Sequence, residues 1–213
     1  MRIAVFTDTY KPQVNGVVTH IEDTTTLFAE KGHKVVIFAP GKKKLRIKNL
    51  SPNRRVFYVP SLPFHPYKEY RVSKPEIWEI YKFFEREDFD IIHIHSPFTL
   101  GMIGILMGKT FNIPIVGTYH TLLPEFFPYI SKGKFYRVMK KLGQYPTKKF
   151  TKFVYSRVNV VVSPSLETKR LLKSYEIRNV VCIPNGIDLK KYRVSTKAIK
   201  RVREVYKLPT DKQ

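Results

Sequence analysis

Apolar residues along this chain fall into short unbroken runs: Arg2–Phe6, Lys34–Ala39, Arg55–Val59, Asp90–His95, Pro114–Thr118, Val158–Ser163 and Val180–Pro184. They are rich in Val and Ile and mostly do not alternate with polar residues. Runs of this kind suit strands covered on both faces, as in a parallel sheet. Between most of them the apolar period lengthens to that of a helix, over Val17–Lys31, Pro75–Glu87, Leu100–Phe111, Phe135–Tyr155 and Leu166–Tyr175, with one more such stretch at Thr196–Tyr206. The punctuation agrees. Gly32 stands where a helix end needs a left-handed residue. Ser73 lies just upstream of a first-turn proline, Pro75, and Ser165 precedes a helix as its cap. Strands alternating with helices predict a Rossmann-like, doubly wound α/β sheet of about seven parallel strands with right-handed crossovers. Two stretches read as irregular excursions, the basic loop Gly41–Arg55 and the proline- and aromatic-rich Ser61–Lys74.

Composition narrows the class. The 213 residues suffice for one large domain with a core of its own. No apolar run reaches the length of a membrane span, and "MRIAVF" reads as a first strand rather than a secretory signal. One cysteine, Cys182, excludes an internal disulfide and reads as a core thiol in a reducing cytosol. Charge changes the picture more. Thirty-nine Lys and Arg against seventeen Asp and Glu give a formal +22, which favours phosphates, nucleic acid or an anionic membrane surface. Lysine-rich surfaces also occur in proteins from hot environments, but there Glu rises with Lys, and here it does not.

In an open parallel sheet, ligands bind beyond the carboxyl ends of the strands. The segments that follow the runs are "TDTYKPQVNG", "HSPFTLG", "YHTLLPEFFPYI", "PSLE" and "NGID". The first has a single glycine, Gly16, where a dinucleotide-binding turn would have three. Gly16 is either a turn residue or a place where the backbone must come close to a ligand. His120 is either a hydrogen-bonded loop histidine or a functional one. "DFD" (Asp88 to Asp90) precedes a strand, at the end away from the crevice, so it is not expected to hold a metal. His93 and His95 alternate on one strand with no third ligand at suitable spacing, and no metal site is expected. Ser165 fits a helix cap better than a nucleophile.

Four motifs in order, "MRIAVFTDTYKPQVNGVVTHI", "FDIIHIHSPF", "VGTYHT" and "VVSPS…IPNGID", resemble the N-terminal domain of family 4 glycosyltransferases, from Met1 to about Tyr192. The likeness is strongest to those that glucosylate diacylglycerol or transfer mannose to phosphatidylinositol. The resemblance implies a retaining hexosyltransferase with two Rossmann-like domains, the GT-B fold. Residues 1–190 would be the acceptor-side domain, and 191–213 a linker and helix leading to a donor-binding domain that this chain lacks. It implies no cofactor, only a nucleotide-diphosphate sugar, UDP- or GDP-linked, as donor. Asn15, Gly16 and Val17 would approach the donor diphosphate. His120 would sit beside the transferred sugar, and Tyr10, His95, Ser96, Tyr119 and Thr121 would line the acceptor pocket. The basic, aromatic segment Ser131–Arg157, beside "LLPEFFPYI", suits attachment to anionic lipid at the inner face of the cell membrane. A soluble sugar acceptor and a basic module binding nucleic acid are the rival readings. No nucleic-acid motif supports the last.

Overall fold

The computed structural model describes residues 1–42, 44–63, 71–74, 76–120, 147–186, 195–207 and 209. In chain order the elements are β1 (Arg2–Phe6), α1 (Gly16–Glu30), β2 (Lys34–Pro40), β3 (Arg46–Ser51), β4 (Arg54–Val59), β5 (Ser61–Pro63), β6 (Arg71–Ser73), α2 (Ile77–Arg86), β7 (Ile91–Ile94), α3 (Thr99–Thr110) and β8 (Ile115–Thr118). They continue with α4 (147–155), β9 (Val160–Ser163), α5 (Leu166–Ser174), β10 (Val180–Cys182) and α6 (Thr196–Tyr206).

Eight strands form one sheet in the order β10-β9-β8-β7-β1-β2-β4-β3. All neighbours are parallel except β3, which runs antiparallel to β4. The runs of β1, β2 and β4 are unbroken because these strands face a core on both sides. Ile3 and Val5 point into one cluster with Ile21 of α1, Val35, Ile37 and Val56. Ala4 and Phe6 point into the other, with residues of α2 and α3. That second cluster is aromatic: Phe6 stacks on Phe38 at 4.4 Å between ring centroids, and Phe57, Phe83, Phe84 and Phe89 ring Phe38.

The doubly wound sheet is thus the expected one, with three corrections. The basic segment Gly41–Arg55 contains β3, an edge strand whose residues are almost all exposed and so lack an apolar pattern. Within Ser61–Lys74, β5 and β6 pair as a small second sheet. Ser73 lies in β6 with its hydroxyl buried, and α2 begins later, at Ile77, without a side-chain cap; Pro75 is outside the described residues. The other caps hold. Gly32 has φ +84°, and the Ser165 side chain accepts the Thr168 amide. Cys182 is half-buried on the edge strand β10 rather than in the core.

Two glycines make opposite demands. A Cβ on Gly101, in the first turn of α3, would lie 1.8 Å from the Ser96 carbonyl oxygen, so α3 rests directly on the loop after β7. A Cβ on Gly16 would meet nothing within 4 Å. Gly16 is also absent from the positive-φ residues, so its backbone would accept any side chain. Gly101→Ala should therefore destabilise the protein by about 1–3 kcal/mol through overpacking. Gly16→Ala should change stability by less than about 1 kcal/mol. Thermal or urea melts of the two variants check this; equal effects would refute the close approach at Gly101.

Candidate functional site

The strand order reverses at β1. From there the chain runs outward to β2 on one side and later returns to place β7 on the other. That switch point is where a doubly wound sheet opens a crevice beyond its carboxyl ends. Three loops meet there, those following β1, β7 and β8.

The loop after β1 is held by its own polar side chains. Thr7 Oγ1 donates to the Thr9 carbonyl at 2.8 Å, Asn15 Nδ2 donates to Thr9 Oγ1 at 3.1 Å, and Gln13 Oε1 accepts the Tyr10 amide at 3.0 Å. Asn15 then caps α1, its Oδ1 accepting the Val18 amide at 2.9 Å. The Thr19 amide goes to the Asn15 carbonyl. Gly16 and Val17 thus open the helix, with Gly16 exposed and Val17 half-buried.

Asp8 joins the first two loops. Its carboxylate accepts the Ser96 hydroxyl at 2.6 Å and the Leu100 amide at 2.9 Å, while its own amide donates to Ser96 Oγ at 2.8 Å. It caps α3 from another element, where the helix dipole favours a negative charge. Burial nevertheless pushes its carboxyl up to about 6, against the pull of the Leu100 amide, the Ser96 hydroxyl and the Gly101 amide.

The third feature is a group of imidazoles. His95, at the end of β7, has Nδ1 3.0 Å from Nε2 of His120, beyond β8, and the two rings stack. His20, one turn along α1 from Gly16, packs its ring 4.8 Å from that of His120 and 5.6 Å from that of His95. His93 packs against His95 at 4.0 Å between centroids with the rings tilted by 37°, and its Nε2 lies 2.7 Å from Thr118 Oγ1. Desolvation keeps all four neutral at physiological pH. His93 and His120 are pushed down to about 3, with neighbouring histidines adding to the effect. Burial holds His95 well below the usual imidazole value and lowers His20 as well.

The structure thus brings together Asn15, Gly16, Val17, His95, Ser96 and His120 from the residues singled out in the sequence. Two of these serve from beneath: His95 and Ser96 are 2% and 1% exposed. Tyr10 and Tyr119 are also buried, each 1% exposed. The Tyr10 hydroxyl donates to Glu22, and Tyr119 packs edge-on against Tyr155. Neither ring is exposed at the crevice, where the sequence expectation had them line a pocket; like His95 and Ser96, they support the loops from beneath. Thr121 lies outside the described residues. Asp88 and Asp90 hold Arg2 at the other end of the sheet. Sequence reasoning missed Asp8 and His20. For His20 a signal existed, its i+4 spacing from Gly16, which sets both on one face of α1.

The profile of the family described as Glycosyltransferase Family 4 matches residues 14–191. The chain belongs to this family. It is 33% identical to the alpha-monoglucosyldiacylglycerol synthase of Streptococcus pneumoniae over 193 residues, which cover 90% of this chain and 42% of that protein. It is 24% identical to a GDP-mannose-dependent alpha-mannosyltransferase of Mycolicibacterium smegmatis, over 89% of this chain and 48% of that one. The chain spans about half the length of the curated relatives it matches. Among solved structures, sucrose-phosphate synthase from Thermosynechococcus elongatus shares the fold with a TM-score of 0.59 at 13% identity, over 97% of this chain and 99% of that one. A glycosyltransferase involved in lipopolysaccharide biosynthesis does so with a TM-score of 0.58 at 10% identity, over the whole of this chain and 53% of that one.

Asp8 offers a test of the site's construction. Its folded pKa is raised, so its contribution to stability is present below about 3.8 and is lost as pH rises through about 6. Relative to Asp8→Asn, the wild type should lose up to about 3 kcal/mol between about pH 4 and pH 7. The histidine titrations are common to both proteins and cancel in the difference. Urea unfolding of the pair across this range checks it; a difference independent of pH would mean that Asp8 is not buried as described.

Proposed function

We propose that this chain supplies the acceptor-side half of a retaining hexosyltransferase that moves a sugar from a nucleotide-diphosphate sugar, UDP- or GDP-linked, to a membrane glycerolipid. The observation that carries this is the packing of His20 against His120 at 4.8 Å between ring centroids. Through it, the open turn at Gly16 and the histidine of the "VGTYHT" motif become neighbours in one crevice. Such proximity is what transfer needs, with a diphosphate at a helix N-terminus and its sugar within reach of an oriented donor.

Each part has a physical role. The space before Gly16 admits a diphosphate to the first turn of α1, whose amides and dipole favour the anion. His95 holds the His120 ring through Nε2, so Nδ1 is the atom turned to substrate service. A neutral imidazole there orients the sugar and donates to developing charge on the leaving phosphate. The Asp8 clamp keeps the loops after β1 and β7 at fixed separation.

The lipid acceptor rests on the S. pneumoniae relative, named for a glucosylated diacylglycerol, and on α4. Phe150 and Phe153 of α4 are 37% and 46% exposed and stand among Lys148, Lys149 and Lys152. Phe150 stacks at 6.4 Å on Phe98, the residue before α3, which places this face at the crevice end of the sheet. Aromatic and basic groups side by side suit the lipid–water interface, with the protein peripheral on the cytoplasmic leaflet. Among the described residues no helix is long and apolar enough to cross a membrane. Residues 121–146, which include "LLPEFFPYI" and the first part of the basic segment, lie outside the described residues.

In the complete gene product, His120→Ala should lower turnover by about 3 kcal/mol of transition-state stabilisation, roughly a hundredfold. Nucleotide affinity and melting temperature should stay near those of the wild type. Near-normal turnover would make His120 a structural residue and remove the catalytic reading.

Vesicles with anionic lipid should bind the protein, and neutral ones much less, with affinity falling as salt rises. Replacing Lys148 and Lys149 with Gln should cost up to about 1 kcal/mol each, and Phe150→Ser with Phe153→Ser should weaken binding further. Equal binding to neutral and anionic vesicles would contradict the membrane assignment.

A further inference from the structure

Three of the crevice imidazoles come from separate elements and converge on one point. His20 belongs to the second turn of α1, His95 to the end of β7, and His120 to the end of β8. Their available ring nitrogens all lie within 4.8 Å of one another. The shortest separation, His95 Nδ1 to His120 Nε2, is 3.0 Å. Two zinc–nitrogen bonds of about 2.05 Å at a tetrahedral angle span about 3.4 Å, so this pair already stands close to the spacing that one ion requires. The His20 ring, 4.8 Å from that of His120 and 5.6 Å from that of His95 between centroids, must close in further to complete the set.

We propose that His20, His95 and His120 form a site for one divalent transition-metal ion of the zinc class, with three protein ligands and an exchangeable fourth position. The donor set selects the ion. Imidazole nitrogen suits Zn²⁺, Co²⁺ and Ni²⁺, whereas Mg²⁺ and Ca²⁺ require oxygen ligands that this group does not offer. The scaffold is rigid in the places that matter. α1 is capped by Asn15, and β7 and β8 are adjacent strands of the sheet. His93 packs against the His95 ring and is itself held by Thr118 Oγ1.

Metal uptake has a definite proton balance. The His95–His120 hydrogen bond places one proton between the two nitrogens, and a shared ion needs both lone pairs. That proton moves to the other nitrogen of the ring that carried it, so neutral imidazoles release no proton on binding. This separates the site from a thiolate site, which must lose its proton.

Titration of the protein, free of any affinity tag, with Co²⁺ tests the proposal. The expected result is one equivalent bound at micromolar affinity or tighter, with visible d–d absorption, and displacement by Zn²⁺ but not by excess Mg²⁺. Loss of even an outer-shell partner commonly costs about 10–100-fold in metal affinity, so His20→Gln and His120→Gln should each weaken binding by about tenfold or more. His33→Gln and Cys182→Ser should leave it unchanged. Circular dichroism confirms the fold of each variant, and a zinc-dependent rise in melting temperature should occur in the wild type and be lost in His20→Gln and His120→Gln. Binding that survives either of those two substitutions, or no saturable binding in the micromolar range, overturns the site.

Discussion

The crevice depends on one buried carboxylate. A charge taken out of water is costly unless paired or hydrogen-bonded, and Asp8, 1% exposed, answers that cost with the Ser96 hydroxyl and the first-turn amides of α3. These bonds tie the loop after β1 to the loop after β7 and to the helix that follows. They form only because Gly101 has no side chain to lift α3 off the Ser96 carbonyl. One glycine and one aspartate thereby set the separation of the two loops at the switch point of the sheet.

Around that clamp, the sheet and its two cores act as a frame. The cores bury both faces of β1 and β2, so the ends of these strands are fixed relative to α1 on one side and α3 on the other. Continuity from strand to site is direct: the His95 amide donates to the Phe6 carbonyl at 2.8 Å, and the Tyr119 amide donates to the Val162 carbonyl at 2.9 Å. The histidines are therefore held by backbone pairing as well as by packing. Their burial also decides their chemistry, because desolvation keeps them uncharged and able to donate or coordinate at neutral pH.

The central strands β1, β2 and β4, buried on both faces, were legible because their apolar runs are almost unbroken, and β7 to β10 because Val and Ile dominate them. β3 escaped notice because it pairs on one edge and exposes most of its side chains, so its sequence, "RIKNLS", carries no burial signal. β5 and β6 are too short for any period to register. At the site, the loops were found from the strand ends, and His120 from its motif. Tyr10 and Tyr119 were misplaced because a tyrosine in a loop can turn its ring inward as easily as toward a ligand, and only packing decides between them. The histidine cluster could not be read from spacing, since His20, His95 and His120 meet through the order of the strands and not through proximity in the chain.

The donor sugar proposed for this chain would enter the crevice formed by α1 and the ends of β7 and β8. Histidine-ring NMR of the complete gene product during titration with UDP- and GDP-linked sugars tests it most directly. The ring signals of His20 and His120 should shift together and saturably with one of the two donors, while that of His33, at the far end of the sheet, stays in place. Saturable donor binding that leaves His20 and His120 unmoved would contradict it.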